Sequence, residues 1–544
     1  MKPVRFLFII LMIIGGCATD LANPPITPRW AFSHIVWEDS LNNTKGATEI
    51  VDAYLSRNIP VGAVIIDSPW STAYNDFNWD LERYGNPQAM IEYFKGKNVK
   101  VMLWLTGVLN HKGKDTRLDK CEQYDYAVSK NYGINESQPG HWWKGDGIHI
   151  EFTKTESVEW WNSQLDKVFV DGVYGWKVDQ GEYWFGDTIK TYKGKMSNAE
   201  FRPYYYDAMY DYTVSHRPEG IIMARPYSHQ GGYAASVDKL NLGWSGDFSG
   251  DWNGLKNQID NIYQSAEKGY GSPACEVAGF YQKRAGKEEF VRYAQFGCMT
   301  ATMVNGGENG AFSNHLPWYH GNDVTEIYRE CVTLHESLIP YLFSSSVDNH
   351  NFGGSLLKDL NFQEESHCLG RNIFTKAITS AGGNVKFTLP ENSDWIDLWS
   401  NEQHSGGASI EREYPLSEFP VFIRKGAIIP IRKYGDNKII DNMGVKASSK
   451  TTIVIYPDGK SFETLHLPTG DGIEYVTCQI VYDEDGGVLR MTSEKPMDFD
   501  IVIHDVKTKL HKVIGATQWV QDYKSNCVRL SVEGTEADVK LVRK

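Results

Sequence analysis

The chain has 544 residues, 41% of them hydrophobic, with 17 Trp and 30 Tyr, and a formal net charge of −14. That length exceeds one compact core and implies several domains, and the apolar and aromatic content excludes a disordered chain. The acidic balance excludes a protein that holds nucleic acid through its electrostatic field.

The N-terminus, MKPVRFLFIILMIIGGCATD, sets Lys2 and Arg5 ahead of an apolar run from Phe6 to Ile14 and ends that run in IGGC. A charged start, a short apolar stretch and small residues describe a secretory signal rather than a membrane span. The ending resembles a bacterial lipobox, in which the residue after cleavage, here Cys17, is lipidated. Residues 1–17 are then a lipoprotein signal peptide. The expected location is across the inner membrane of a bacterium, in the periplasm or at the cell surface, with the membrane met only through an N-terminal lipid anchor. The other cysteines, at 121, 275, 298, 331, 368, 478 and 527, stand at long spacings with no CxxC pair. This pattern indicates neither a zinc site nor a disulfide framework, so no metal and no cofactor is expected.

From about Trp30 to Ser346 short apolar runs alternate with longer amphipathic ones. VGAVIID (61–67), VKVMLWLTG (99–107), GVYGWKVD (172–179), GIIMARP (220–226), NLGWSGD (241–247), SPACEVAGF (272–280) and CMTATMVNG (298–306) read as strands. NPQAMIEYFKGKN (86–98) and TESVEWWNSQLDKVF (155–169) read as helices between them. About eight such units predict an α/β chain with a closed (β/α)8 TIM barrel over residues 18–355. No Gly-rich nucleotide loop follows a strand, which disfavours a doubly wound sheet. Residues 108–148, polar and rich in Gly and Lys with HWWKGDG, are too long for a plain connection and predict an insertion on the active face. Beyond the barrel the pattern becomes alternating runs broken by Asp-Gly and Gly-Gly turns. It predicts two C-terminal β-sandwich domains, a proximal one over 356–435 and a distal one over 436–544.

In such a barrel chemistry sits where strands end. Asp67, Asp179, Arg225 and Asp247 each close a strand, and Glu276 interrupts another. Alternation puts Lys177 and Asp179 on one face of their strand, with Trp176 and Val178 on the other. Converging carboxylates without His or Cys beside them suit an oxygen-ligated metal or glycoside hydrolysis. Trp70, Trp104, Trp176, Trp184, Trp244 and Trp252 favour the sugar. Asp251 is the rival of Asp247, Glu182 reads as the structural partner of a nearby cation, and His229 and His315 read as surface or loop residues.

GVYGWKVDQGE resembles the nucleophile segment of glycoside hydrolase family 31, the α-glucosidase and α-xylosidase family, and WSGDFSGDW resembles its acid/base segment. HIEFTKTESVEWW, IIDSPW, FNWD, LHESLIPYLFS and FPVFIRKGAIIP extend the likeness over most of residues 30 to 435. The resemblance implies a retaining, exo-acting α-glycoside hydrolase with Asp179 as nucleophile and Asp247 as acid/base. Asp67, Trp104, Lys177, Arg225, Trp244, Glu276 and Asn305 would bind the substrate, an α-linked oligosaccharide or glycoside. Lys177 would keep Asp179 ionised, and Trp244 and Trp252 would give Asp247 a drier setting that holds its proton.

Three departures bear on the sugar. CEVAGF stands where many members have His-Asp-Ile-Gly-Gly-Phe. VNGG stands where many have Arg-Asn-His, leaving Gly306 at the place of a sugar-binding His. Barrel-like sequence also begins about a dozen residues after Cys17, without the family's usual N-terminal β-sandwich. These features resemble the family's α-galactosidase members, so release of α-galactose is the first expectation. α-Glucosidase or α-xylosidase activity comes next, then an N-acetylated or sulfonated sugar. A transglycosylase uses the same residues, and a catalytically inactive carbohydrate-binding surface lipoprotein is the reading from another class.

Overall fold

A computed structural model describes residues 22–39, 42–229, 231–280, 283–307, 315–432 and 450–544. Cys17, the leader and the expected boundary at 435/436 lie outside the described residues. Eight parallel strands close into a barrel. They are β1 (Ile35–Glu38), β2 (Ala63–Ile66), β3 (Lys100–Leu105), β4 (Val173–Val178), β5 (Ile221–Ala224), β6 (Leu242–Trp244), β7 (Pro273–Val277) and β8 (Met303–Asn305). Each pairs with the next and β8 pairs with β1. The apolar runs named above supply all but β1.

The larger helices outside the barrel are α1 (Thr44–Leu55), α2 (Pro87–Gly96), α3 (Thr155–Leu165), α4 (Asn198–His216), α5 (Trp252–Lys268), α6 (Lys287–Gly297), α7 (Asn322–Ser337) and α8 (Ile339–Phe352). Their starts are written locally. Asn43 caps α1, Asn86 caps α2 ahead of a Pro in its first turn, and Ser197 with Glu200 forms a reciprocal capping box on α4.

Strand alternation sorts the side chains into two layers. Ile35, Trp37, Ala63, Ile65, Met102, Met223, Leu242, Ala274 and Val304 fill the barrel interior. Val36, Val64, Val101, Leu103, Val178 and Ile222 face the helices instead. Trp176 also faces outward and stacks on Phe169, ring centroids 5.3 Å apart. Trp30 and Ala31 join the interior cluster just ahead of β1, so the barrel is plugged and any cavity at its mouth is blind.

The mouth is built up by the segment between β3 and α3. Val108–Gly113, Gly140–Trp142 and Gly145–His149 form a three-stranded antiparallel sheet. Trp142 is buried there and donates from Nε1 to Asn110 Oδ1 at 2.7 Å.

The C-terminal part is β-rich. A six-stranded sheet runs from Leu357 to Arg424, and Phe374 and Phe422 meet Phe387 of a two-stranded sheet at 5.7 Å. This unit shares its core with the barrel, and Arg292 of α6 donates to the carbonyls of Tyr414 and Glu418 across the junction. The last eight strands, Ile428–Arg432 to Cys527–Arg543, pair into one sheet around a separate core that includes Ile453, Ile480, Phe499 and Leu530.

Candidate active site

Four strand-end side chains converge at the mouth. Asp67 follows β2, Asp179 follows β4, Arg225 follows β5 and Asp247 lies three residues past β6. One guanidinium nitrogen serves both expected catalytic groups. Arg225 Nη2 donates to Asp179 Oδ1 at 3.1 Å and to Asp247 Oδ2 at 2.7 Å. Asp179 also accepts from the Gln180 amide at 2.8 Å and from Trp104 Nε1 at 3.3 Å. Gly246 lets Asp247 approach, because it adopts a φ of +92° and its missing Cβ would lie 3.1 Å from Arg225 Nη1.

Burial pushes the Asp179 carboxyl up, opposed chiefly by Arg225, reinforced by Asp247 and opposed more weakly by Lys177. Lys177 thus favours the Asp179 carboxylate in the direction expected of it, as the weaker of two cations. Its ammonium bonds Asp67 Oδ2 at 2.8 Å, and Arg225 is the cation on Asp179. Burial opposes the Lys177 charge, but Asp67 and Glu276 outweigh it and raise the ammonium above its ordinary value.

Lys177 lies between two indoles, 3.6 Å from the Trp37 ring centroid and 4.4 Å from that of Trp244. Both indole N–H groups point at Glu276. Trp37 Nε1 donates to Oε1 at 2.7 Å and Trp244 Nε1 to Oε2 at 2.6 Å. Trp244 also carries Arg225, whose Cζ sits 4.1 Å from its ring centroid.

These contacts place a blind cavity of about 750 Å³ over the barrel end, with Trp37, Asp39, Asp67, Trp104, Lys177, Asp179, Arg225, Trp244 and Asp247 on its walls. Trp143 and Lys144 of the segment between β3 and α3 also line it, as does Trp184 just past β4. Trp184 is 43% exposed, and its ring centroid lies 6.1 Å from that of Trp143.

Two expected substrate contacts lie off this cavity. Glu276 is fully buried beneath it with both oxygens engaged by indoles, and burial pushes its carboxyl up to about 7. Asn305 points out of the barrel, because Val304 takes the interior position of β8, and it accepts from Tyr54 of α1 at 2.9 Å. Trp252 is the first residue of α5 and packs on the helix layer, not beside Asp247 in the cavity wall. Asp251 caps α5 through the Gly254 amide and pairs with Lys283 at 2.8 Å, which leaves Asp247 as the acid on Arg225. Glu182 has the structural partner expected of it, Arg202 at 2.7 Å. His229 lines the cavity, whereas His315 is buried 3.2 Å from Glu38 and is no surface residue.

Sequence reasoning passes over Trp37 and Asp39. The signal is HIVWED, a short apolar run ending in acids like those at the other strand ends. Burial and then the Asp67 charge push the Asp39 carboxyl up to about 8.

A model of the glycosyl hydrolases family 31 TIM-barrel domain matches residues 24–345, and one of that family's C-terminal domain matches residues 355–429. The chain is 23% identical, over 86% of its length, to an isomaltosyltransferase of Sporosarcina globispora, of which it covers 47%. It is 22% identical, over 76% of its length, to an α-xylosidase of Emericella nidulans, of which it covers 55%. It thus spans about half the length of these curated relatives. A dextranase of Flavobacterium johnsoniae, solved with glucose, superposes with a TM-score of 0.83 at 20% identity, over 96% of this chain and 71% of that one.

Proposed function

This chain belongs to glycosyl hydrolase family 31, and on that premise we propose that it is a retaining, exo-acting α-glycosidase with Asp179 as nucleophile and Asp247 as acid/base. The observation that carries the reading is the shared Arg225 nitrogen. The carboxylate oxygens it joins lie at most about 5.8 Å apart, the 3.1 and 2.7 Å bonds laid end to end, which brings both carboxylates within reach of one glycosidic bond and is compatible with a retaining pair at roughly 5–5.5 Å. Asp179 attacks the anomeric carbon while Asp247 protonates the departing glycosidic oxygen. Water then cleaves the glycosyl-enzyme, giving its proton to Asp247 and returning Asp179 to the carboxylate. The plugged barrel supports exo action, since a chain can enter the blind cavity only by its end.

For the sugar, an α-glucoside or α-xyloside is the reading best supported, because the relatives quoted are named for isomaltose or xylose chemistry or hold glucose. The galactose expected from sequence finds no support among them. It survives as a competitor on one observation, the absence of a side chain at Gly306. Anchoring through Cys17 remains a proposal from the leader sequence, tested by mass spectrometry of the mature N-terminus from a bacterial host.

A panel of p-nitrophenyl α-glycosides tests the activity. The expected result is release of nitrophenol from the glucoside or xyloside and a first product with the α configuration by NMR. If nothing is cleaved while a sugar still raises Tm, the enzyme reading fails and the inactive carbohydrate-binding reading replaces it. Products formed with an added acceptor alcohol separate transfer from hydrolysis.

A further inference from the structure

Gly306 and Glu276 are two departures from the family's motifs that look unrelated, thirty positions apart on β7 and just after β8. The fold joins them through one ring. A Cβ on Gly306 would lie 2.1 Å from Cε2 and Nε1 of Trp37, far inside van der Waals contact. The indole thus occupies the volume that any side chain at 306 would need. Trp37 is 1% exposed and fills the space glycine leaves.

The indole N–H that this placement buries needs an acceptor, and Glu276 Oε1 supplies it. The other oxygen serves Trp244 on the far side of Lys177. An aspartate on β7 would be one methylene shorter and could not hold both indoles at 2.7 and 2.6 Å from the same backbone position. Phe280, 5.4 Å from Trp37 between ring centroids, supports the ring from another side. Trp244 in turn carries Arg225, and Arg225 touches both Asp179 and Asp247. A change at 306 or 276 is therefore felt at the catalytic pair through packed, hydrogen-bonded groups.

We propose that Gly306 and Glu276 form one specificity-determining unit with Trp37: the missing side chain admits the indole, Glu276 fixes it, and the subsite wall between β8 and β1 presents an apolar ring where a hydrogen-bonding side chain would otherwise meet a sugar hydroxyl. The unit selects α-glycosides whose terminal sugar turns carbon-bound hydrogens, not a hydroxyl, to that wall. It positions Trp244 and Arg225 rather than touching the reacting atoms. The inference rests on the α-glycosidase reading above.

The test is a double-mutant cycle on the full chain with Gly306→Ala and Trp37→Ala, read by Tm and by kcat/KM on the glycosides the wild type cleaves. Alone, Gly306→Ala lowers kcat/KM by roughly tenfold or more and lowers Tm, whereas added to Trp37→Ala it changes kcat/KM by less than about twofold, the non-additivity of groups in contact. Trp37→Ala also changes the kcat/KM ratio between two glycosides differing at one carbon by about tenfold, and Glu276→Asp moves that ratio the same way. Additive losses, or ratios within about twofold of wild type, overturn the proposal. If Trp37→Ala does not fold, Trp37→Phe, which drops the bond to Glu276, repeats the ratio measurement with the same criterion. If the wild type cleaves no glycoside, the α-glycosidase reading has failed by itself. The Tm coupling and the Tm shifts given by different sugars then decide the unit separately.

Discussion

Arg202→Met offers the sharpest test of how the nucleophile loop is held. Arg202 of α4 and Glu182 are both 0% exposed and meet at 2.7 Å. The same guanidinium donates to Gln180 Oε1 at 2.9 Å and to the Gly232 carbonyl at 3.3 Å, and the other Glu182 oxygen accepts the Gly181 amide at 2.8 Å. Removing the cation leaves a carboxylate uncompensated in the interior, a cost of about 3–5 kcal/mol. For a barrel that spans residues 24–345, at about 2.1 cal/mol/K of unfolding entropy per residue, that is a fall in Tm of roughly 4–8 °C. Because Gln180 and Gly181 follow Asp179 directly, kcat/KM should fall too. Scanning calorimetry of the wild type, Arg202→Met and the double variant Glu182→Leu/Arg202→Met measures it. The double variant should recover part of the loss, since an apolar pair leaves no buried charge unmatched. A single variant within about 2 °C of wild type, or a double variant no better than the single, would refute the reasoning.

Three further outcomes follow from the site. Asp247→Ala should lower kcat/KM by about 10²–10⁴-fold on substrates with a sugar leaving group and less on p-nitrophenyl glycosides, whose leaving group departs without a proton; equal losses on both would count against its role as acid. Burial and Asp247 push the Asp179 carboxyl up, and the nucleophile works only when ionised, so the acid limb of kcat/KM should lie above the ordinary Asp value. Arg225→Met should move that limb to still higher pH, and a limb that moves down contradicts the assignment. Glu276 and Glu336 are buried with carboxyls pushed up from 4.5 to about 7. The folded chain then binds more protons than the unfolded one between those values, so stability is greatest below the unfolded pKa and falls as pH rises toward 7, by about 3 kcal/mol for each group. Tm against pH checks the sign, and Glu276→Gln should remove its share of the slope.

The barrel and the catalytic mouth were legible because both follow from local pattern. Apolar runs at regular spacing give the strands, and alternation alone places Trp176 on the helices and Lys177 and Asp179 inside. Partners distant in the chain were legible only where the family resemblance supplied them, as for Arg225 beside the acid/base Asp247. Lys177 finds Asp67 across 110 positions, and Asp179 finds Arg225 across 46, so the cation nearer in sequence is the weaker of the two that favour the Asp179 carboxylate. Asn305 follows a different rule. Alternation on a three-residue strand hangs on its register, and Val304 facing inward sends Asn305 to Tyr54. Glu276 faces inward as expected, but its depth below the cavity depends on two indoles from β1 and β6, which no local signal reports. His315 stands in a turn, as a loop residue should, but it is buried 3.2 Å from Glu38, a partner at the far end of the barrel sequence that no local signal reports.

The walls of the cavity have one more consequence. Asp67, Asp179, Asp247 and Asp251 face Lys144, Lys177, Arg225 and Lys283 across it, and Asp39, pushed up to about 8, is uncharged near neutrality. In a chain of net charge −14 the mouth is thus a patch where cations match carboxylates one for one, and a single cation is left over once Asp247 carries the proton it donates. A neutral sugar crosses into it without shedding or gathering counter-ions, and ionic strength is a weak lever on that encounter.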